Sequence, residues 1–93
     1  MPQITGHFDT PHASKYLQQL CKHFGHKREV SFDDTTGRVS FDFATAHLEA
    51  TRERLTVTLD LSDANDADRG RHVIDKHLER FAFREGFEKM MWA

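Results

Sequence analysis

Leu55-Thr56-Val57-Thr58-Leu59-Asp60-Leu61 decides how the chain folds. Every second residue is apolar, and those between are Thr or Asp. Successive side chains of a strand point to opposite faces, so the stretch predicts a strand with one apolar face. The period of two continues upstream. Ala46, Leu48 and Ala50 alternate with His47, Glu49 and Thr51. Val39, Phe41 and Phe43 alternate with Arg38, Ser40 and Asp42, and Val30 and Phe32 with Ser31 and Asp33. Asp33-Asp34-Thr35-Thr36-Gly37 and Arg52-Glu53-Arg54 have the composition of turns, and a break falls near Ala44-Thr45. Four strands joined this closely predict an antiparallel meander. Its apolar face needs a cover and its polar face does not.

The cover comes from two segments of helical period. Over residues 13–24, Ala13, Tyr16, Leu17, Leu20, Cys21 and Phe24 form a broad apolar face opposite Lys15, Gln18, Gln19 and Lys22. Pro11 suits the start of this helix, Thr10 its N-cap and Gly25 its C-cap. The second helix is expected from Ala64 to Glu85, after the Ser62-Asp63 cap and before Gly86. Ile74, Leu78 and Phe81 give its apolar side. Gly70 interrupts it at a cost of about 1 kcal/mol relative to Ala, which close packing on the sheet would justify. Ile4 to Asp9 predicts a short first strand, and Phe87 to Trp92 has the irregular alternation of a short last one. The order is β-α-β-β-β-β-α with a terminal β. The fold class is α+β, with two layers and both helices on one face of an antiparallel sheet.

The 93 residues make one domain, 1–93, without repeats or linkers. Eight Phe, one Trp and one Tyr supply large core units. The single cysteine allows no internal disulfide and suits a reducing cytoplasm. No signal peptide is expected from Met-Pro-Gln-Ile-Thr-Gly, and no apolar run is long enough to span a membrane. Thirteen basic against fifteen acidic residues lack the basic excess of a nucleic-acid binder.

Seven histidines are many for this length. Cys21-Lys22-His23 resembles metal-ligand spacing, but residues two apart on a helix point apart, and Cys21 belongs to the apolar face. His23 and His26 come closer in spacing, and His77 would complete three imidazoles around a divalent metal if the helices lie side by side. Ser40, Asp42, His47 and Glu49 share a polar strand face, yet no nucleophile elbow accompanies them. The more function-like pattern is basic. His77, Arg80 and Arg84 follow at i, i+3 and i+7 beside the apolar side of the second helix. Lys22, His23, His26, Lys27 and Arg28 gather at the end of the first, where the helix dipole favours cations. Arg binds carboxylate or phosphate in bidentate fashion. Asp75/Glu79 and Lys76/Arg80 are like-charge i, i+4 pairs, which implies balancing groups outside the helix.

The segments Ala13-Ser14-Lys15-Tyr16-Leu17-Gln18-Gln19-Leu20-Cys21-Lys22-His23-Phe24-Gly25-His26-Lys27 and His77-Leu78-Glu79-Arg80-Phe81-Ala82-Phe83-Arg84-Glu85 resemble the bacterial domain of unknown function 2218 family. The resemblance extends over nearly the whole chain. It marks His23, His26, Lys27, His77, Glu79, Arg80, Phe81 and Arg84, and implies no activity. It also implies stand-alone domains of this size, some joined to siderophore-interacting flavoproteins, and hence a role near iron uptake.

The expectation is a cytoplasmic binding or accessory module rather than an enzyme. A small anionic or metal-bearing ligand would sit between the helix ends, contacted by His23, His26, Lys27, Arg80 and Arg84, with His77 behind. No cofactor is expected. A partner protein is an alternative occupant; nucleic acid and membrane are not expected. In the structural alternative, the His/Arg cluster only locks the helices, and the domain self-associates as a homodimer through the polar sheet face or an edge strand. A metal-dependent enzyme using His23, His26 and His77 is the weaker alternative.

Overall fold

In the computed structural model, which describes residues 2–92, the alternating segments all become strands. In chain order the elements are β1 (Gln3–Asp9), α1 (Ala13–Phe24), β2 (Glu29–Phe32), β3 (Thr36–Ser40), β4 (Ala44–Ala50), β5 (Arg54–Leu61), α2 (Ala67–Ala82) and β6 (Met91–Trp92). Single 3-10 turns, Ala64–Asp66 and Phe83–Glu85, flank α2. The six-stranded sheet has the order β2-β3-β4-β5-β1-β6 and is antiparallel throughout. The meander is as expected, and the first strand closes against its far side, with Gly6 opposite Val57.

Register puts Val39, Ala46, Leu48, Leu55, Val57, Leu59 and Leu61 on the inner face, and all are buried. The six α1 residues assigned to the apolar face are the six that α1 buries, and α2 buries Gly70, Ile74, Leu78 and Ala82. Burying each large apolar side chain contributes about 1.5–3 kcal/mol, so the face between sheet and helices holds the fold together. Gly70 sits hard on the sheet: a Cβ there would lie 2.7 Å from Leu59 Cδ1. Among the described residues no helix is long and apolar enough to cross a membrane.

Three local expectations are corrected. Thr10 does not cap α1, whose N-cap is His12 with no side-chain cap. Instead the buried Thr10 Oγ1 accepts the His12 N–H at 3.1 Å and donates to Glu85 Oε1 at 2.8 Å. Gly25 does cap the C-terminus of α1, as expected, in right-handed conformation, φ −61°; the left-handed cap, φ 73°, is Gly86. Gly37 lies within β3, against the Cys21 thiol, not at the end of a turn. Phe41 and Phe43 leave the strand pattern, because Phe41 N–H donates to Ala44 C=O in the tight β3–β4 turn.

Two polar ties connect the helices to what lies around them. Glu85 accepts from Thr10 Oγ1 and from the Tyr16 hydroxyl, which joins the end of α2 to the start of α1. Asp75 accepts from Met90 N–H at 2.9 Å and from Trp92 Nε1 at 3.0 Å, which docks β6 onto α2. That accounts for part of the like-charge pattern: the Asp75 charge is turned toward donors outside its helix.

Two outcomes check this packing. Burial pushes the Cys21 thiol up to about 11, so labelling in native buffer should be slow and should accelerate only with denaturant. Fast native labelling would mean that α1 presents another face. At Gly6 an added Cβ would meet the Trp92 ring at 2.9 Å. Gly6→Ala should therefore lift β6, red-shift the emission of the single Trp, and lower stability by about 1–3 kcal/mol.

Candidate functional site

The chain winds tightly after α1, and that winding fixes the basic residues there. Lys27 and Arg28 N–H both donate to Phe24 C=O, at 3.1 and 2.8 Å. The side chains of His26, Lys27 and Arg28 are thereby held where α1 exposes its last carbonyls, a favourable place for positive charge. α2 passes alongside, running antiparallel to α1: His77 meets His23 and Phe24, whereas Glu85 meets Tyr16. Arg69, Val73, His77 and Arg80 recur at intervals of four, four and three, and so share one face of α2. The β3–β4 turn supplies Phe41 and Phe43. These groups enclose an open cleft of about 600 Å³, within the roughly 300–1,000 Å³ of small-molecule sites.

One wall of the cleft is aromatic. Phe24 packs edge-on to Phe41, with ring centroids 5.0 Å apart, and Phe41 lies 5.7 Å from Phe43. The remainder is basic. Lys27, Arg28, Arg69 and Arg80 line the cleft with His23, His26 and His77, and the lining contains no Asp or Glu. Arg69 stacks over Phe43 at 4.2 Å and Arg28 over Phe41 at 5.8 Å. Arg28 also reaches Asp42 at 3.3 Å, an exposed pair of small energetic weight. Among the described residues Lys27, Arg69 and Arg80 make no salt bridge. Arg69 moreover stands in the first turn of α2, where the helix dipole disfavours a cation.

The two central imidazoles touch, with ring centroids 4.9 Å apart. His77 Nδ1–H donates to Val73 C=O at 2.6 Å, which anchors the ring to its own helix. His23 is held below the usual histidine range, first by desolvation and then by the positive field of His77, Arg80, His26 and Lys27. It is therefore neutral near pH 7 and gains a proton most readily when negative charge enters the cleft.

Of the residues singled out from sequence, His23, His26, Lys27, His77 and Arg80 come together. Arg84 does not. The α-helix ends at Ala82 and tightens into a 3-10 turn, so the i+7 position leaves the stripe, and the Arg84 guanidinium lies over exposed Phe83. Arg69, Phe41 and Phe43 were missed as site residues. Arg69 shares the α2 face of Val73, His77 and Arg80, and the two Phe continue the strand alternation in sequence. Among the described residues no three His, Cys, Asp or Glu side chains form a metal-ligand group.

The lowered His23 gives stability a pH dependence of known sign. Its folded form resists a proton that the unfolded chain accepts at about 6.5, so stability falls as pH drops through that value. His23→Gln should flatten the difference in urea midpoint between about pH 7 and pH 5.5. An unchanged slope would place His23 in a solvated, field-free position.

No curated protein matches the chain. Among solved structures it is similar to the NMR structure of PA4090 from Pseudomonas aeruginosa, with a TM-score of 0.81 and 31% identity. That similarity covers all of this chain and 96% of the other. The description "uncharacterized protein conserved in bacteria (DUF2218)" matches residues 5–93, in agreement with the resemblance carried by the two helical segments, and the chain belongs to that family.

Proposed function

We propose that this domain is a cytoplasmic binding or accessory module that holds a small anionic ligand in the cleft between α1 and α2. The supporting observation is a cleft of ligand size lined by four permanent cations and no carboxylate. Lys27, Arg69 and Arg80 supply uncommitted charge, and Arg supplies paired donors for a carboxylate or phosphate. His23 and His26 add further donors, with His77 behind them. A metal-bearing anion would enter the same cleft through its own anionic groups, which is the form an iron-linked role would take. The competing reading, in which the cluster only locks the helices, calls for ion pairs; Lys27, Arg69 and Arg80 form none among the described residues, and Glu85 joins the helices further along.

Titration with sulfate, whose charge is constant in this range, tests the proposal by NMR. Affinity should rise as pH falls from about 7 to 6, because bound anion favours protonated His23. Arg80→Gln should weaken sulfate binding about tenfold and reduce its salt dependence, while changing stability by no more than about 0.5 kcal/mol. A loss of roughly 3–5 kcal/mol with unchanged binding would identify Arg80 as a structural cation instead.

A further inference from the structure

The cleft does more than collect charge. Two guanidinium groups already stand over two neighbouring rings, Arg69 4.2 Å from the Phe43 centroid and Arg28 5.8 Å from that of Phe41, and those rings are inclined by only 31° to each other. Arg69 is exposed and lines the cleft, so its planar guanidinium over Phe43 remains open to a ligand. Phe41 is only partly buried and adds ring surface beside it. Uncommitted charge lines the same cleft at Lys27 and Arg80.

From this arrangement, and resting on the anion-binding reading above, we infer that the cleft takes a planar aromatic anion: a flat ring system carrying a carboxylate or similar acid group. The ring extends the Phe43–Arg69 stack, and the acid group meets Arg80 and Lys27. A guanidinium between two aromatic faces gains cation–π attraction on both sides, whereas a saturated ring of equal size offers no π face. A simple inorganic anion would use the charges and leave the aromatic wall wet. Arg is the side chain this requires, since Lys offers the same charge without a flat surface.

The test compares three probes on the intact domain: 2-naphthoate, its fully saturated decahydro counterpart, and sulfate. The expected result is 2-naphthoate binding about tenfold more tightly than the saturated acid, the order of an aromatic pairing contribution. NMR shifts should include the Arg69 side-chain Nε–H. Arg69→Lys keeps the charge and should remove the preference for 2-naphthoate over the saturated acid. Equal binding of the two organic acids, or a preference that survives Arg69→Lys, overturns the aromatic inference and leaves the anion cleft standing. Failure of all three probes to bind removes both.

Discussion

A sheet with one apolar face, covered by only two helices, sets the terms for everything else in this domain. Leu55, Val57, Leu59 and Leu61 bring one full strand of apolar side chains to that face, and β1 and β4 flank it. α1 covers it with a wide stripe. α2 comes close enough only because Gly70 has no Cβ to meet Leu59. Helix positions are thus fixed by packing contacts at van der Waals distance, which tolerate little displacement. The cleft lies where this cover is incomplete: α1 has ended at Phe24, and α2 alone passes the β3–β4 turn. Phe24, Phe41 and Phe43 form its aromatic wall there.

Polar ties then fix what packing leaves free. Glu85 gathers donors from Thr10 and Tyr16, and the combined effect of burial and this carboxylate pushes the Tyr16 hydroxyl up to about 12. Tyr16 therefore remains a donor throughout the physiological range. Asp75 does the same for the C-terminal segment through Met90 and Trp92. Each tie places a carboxylate against neutral donors, not against a cation. The acidic residues of α2 are in this way occupied or turned aside, and the basic residues of the cleft are left without them.

The fold was legible because its signals are periodic. A period of two with Thr and Asp between the apolar residues admits one register, and the α1 stripe from Ala13 to Phe24 has one buried side. The errors fall where a residue serves two roles. Phe41 and Phe43 continue the strand alternation in sequence yet bend away at a turn, because the backbone pairs Phe41 with Ala44. Thr10 has the chemistry of a cap and uses it on Glu85, 75 residues away, a partner that no local pattern reveals. The site was half legible for the same reason: His77, Arg80 and Arg69 share a face of α2 by local spacing, whereas Phe41 and Phe43 join them only through the tertiary approach of α2 to the β3–β4 turn.

Charge segregation is the property that links this architecture to binding. The chain has more acidic than basic residues, so its cations do not lack partners in number. They lack them by placement. Glu79 is next to Arg80 in sequence, but one residue of helix turns it about 100° away, and Asp75 faces the C-terminal segment. At an effective dielectric constant of about 20, unit charges 4 Å apart interact by about 4 kcal/mol. A cluster of four cations screened over only about 8 Å therefore acts on any group inside the cleft. Desolvation lowers His23 first, and Arg80 and Lys27 of that cluster lower it further. The α1 dipole explains cations at His26, Lys27 and Arg28, but opposes Arg69 at the start of α2. Arg69 is held there by stacking on Phe43, which supplies attraction without neutralising the charge. A positive surface stabilised in this way remains positive, and that distinguishes it from an ion pair whose purpose is served once it is formed.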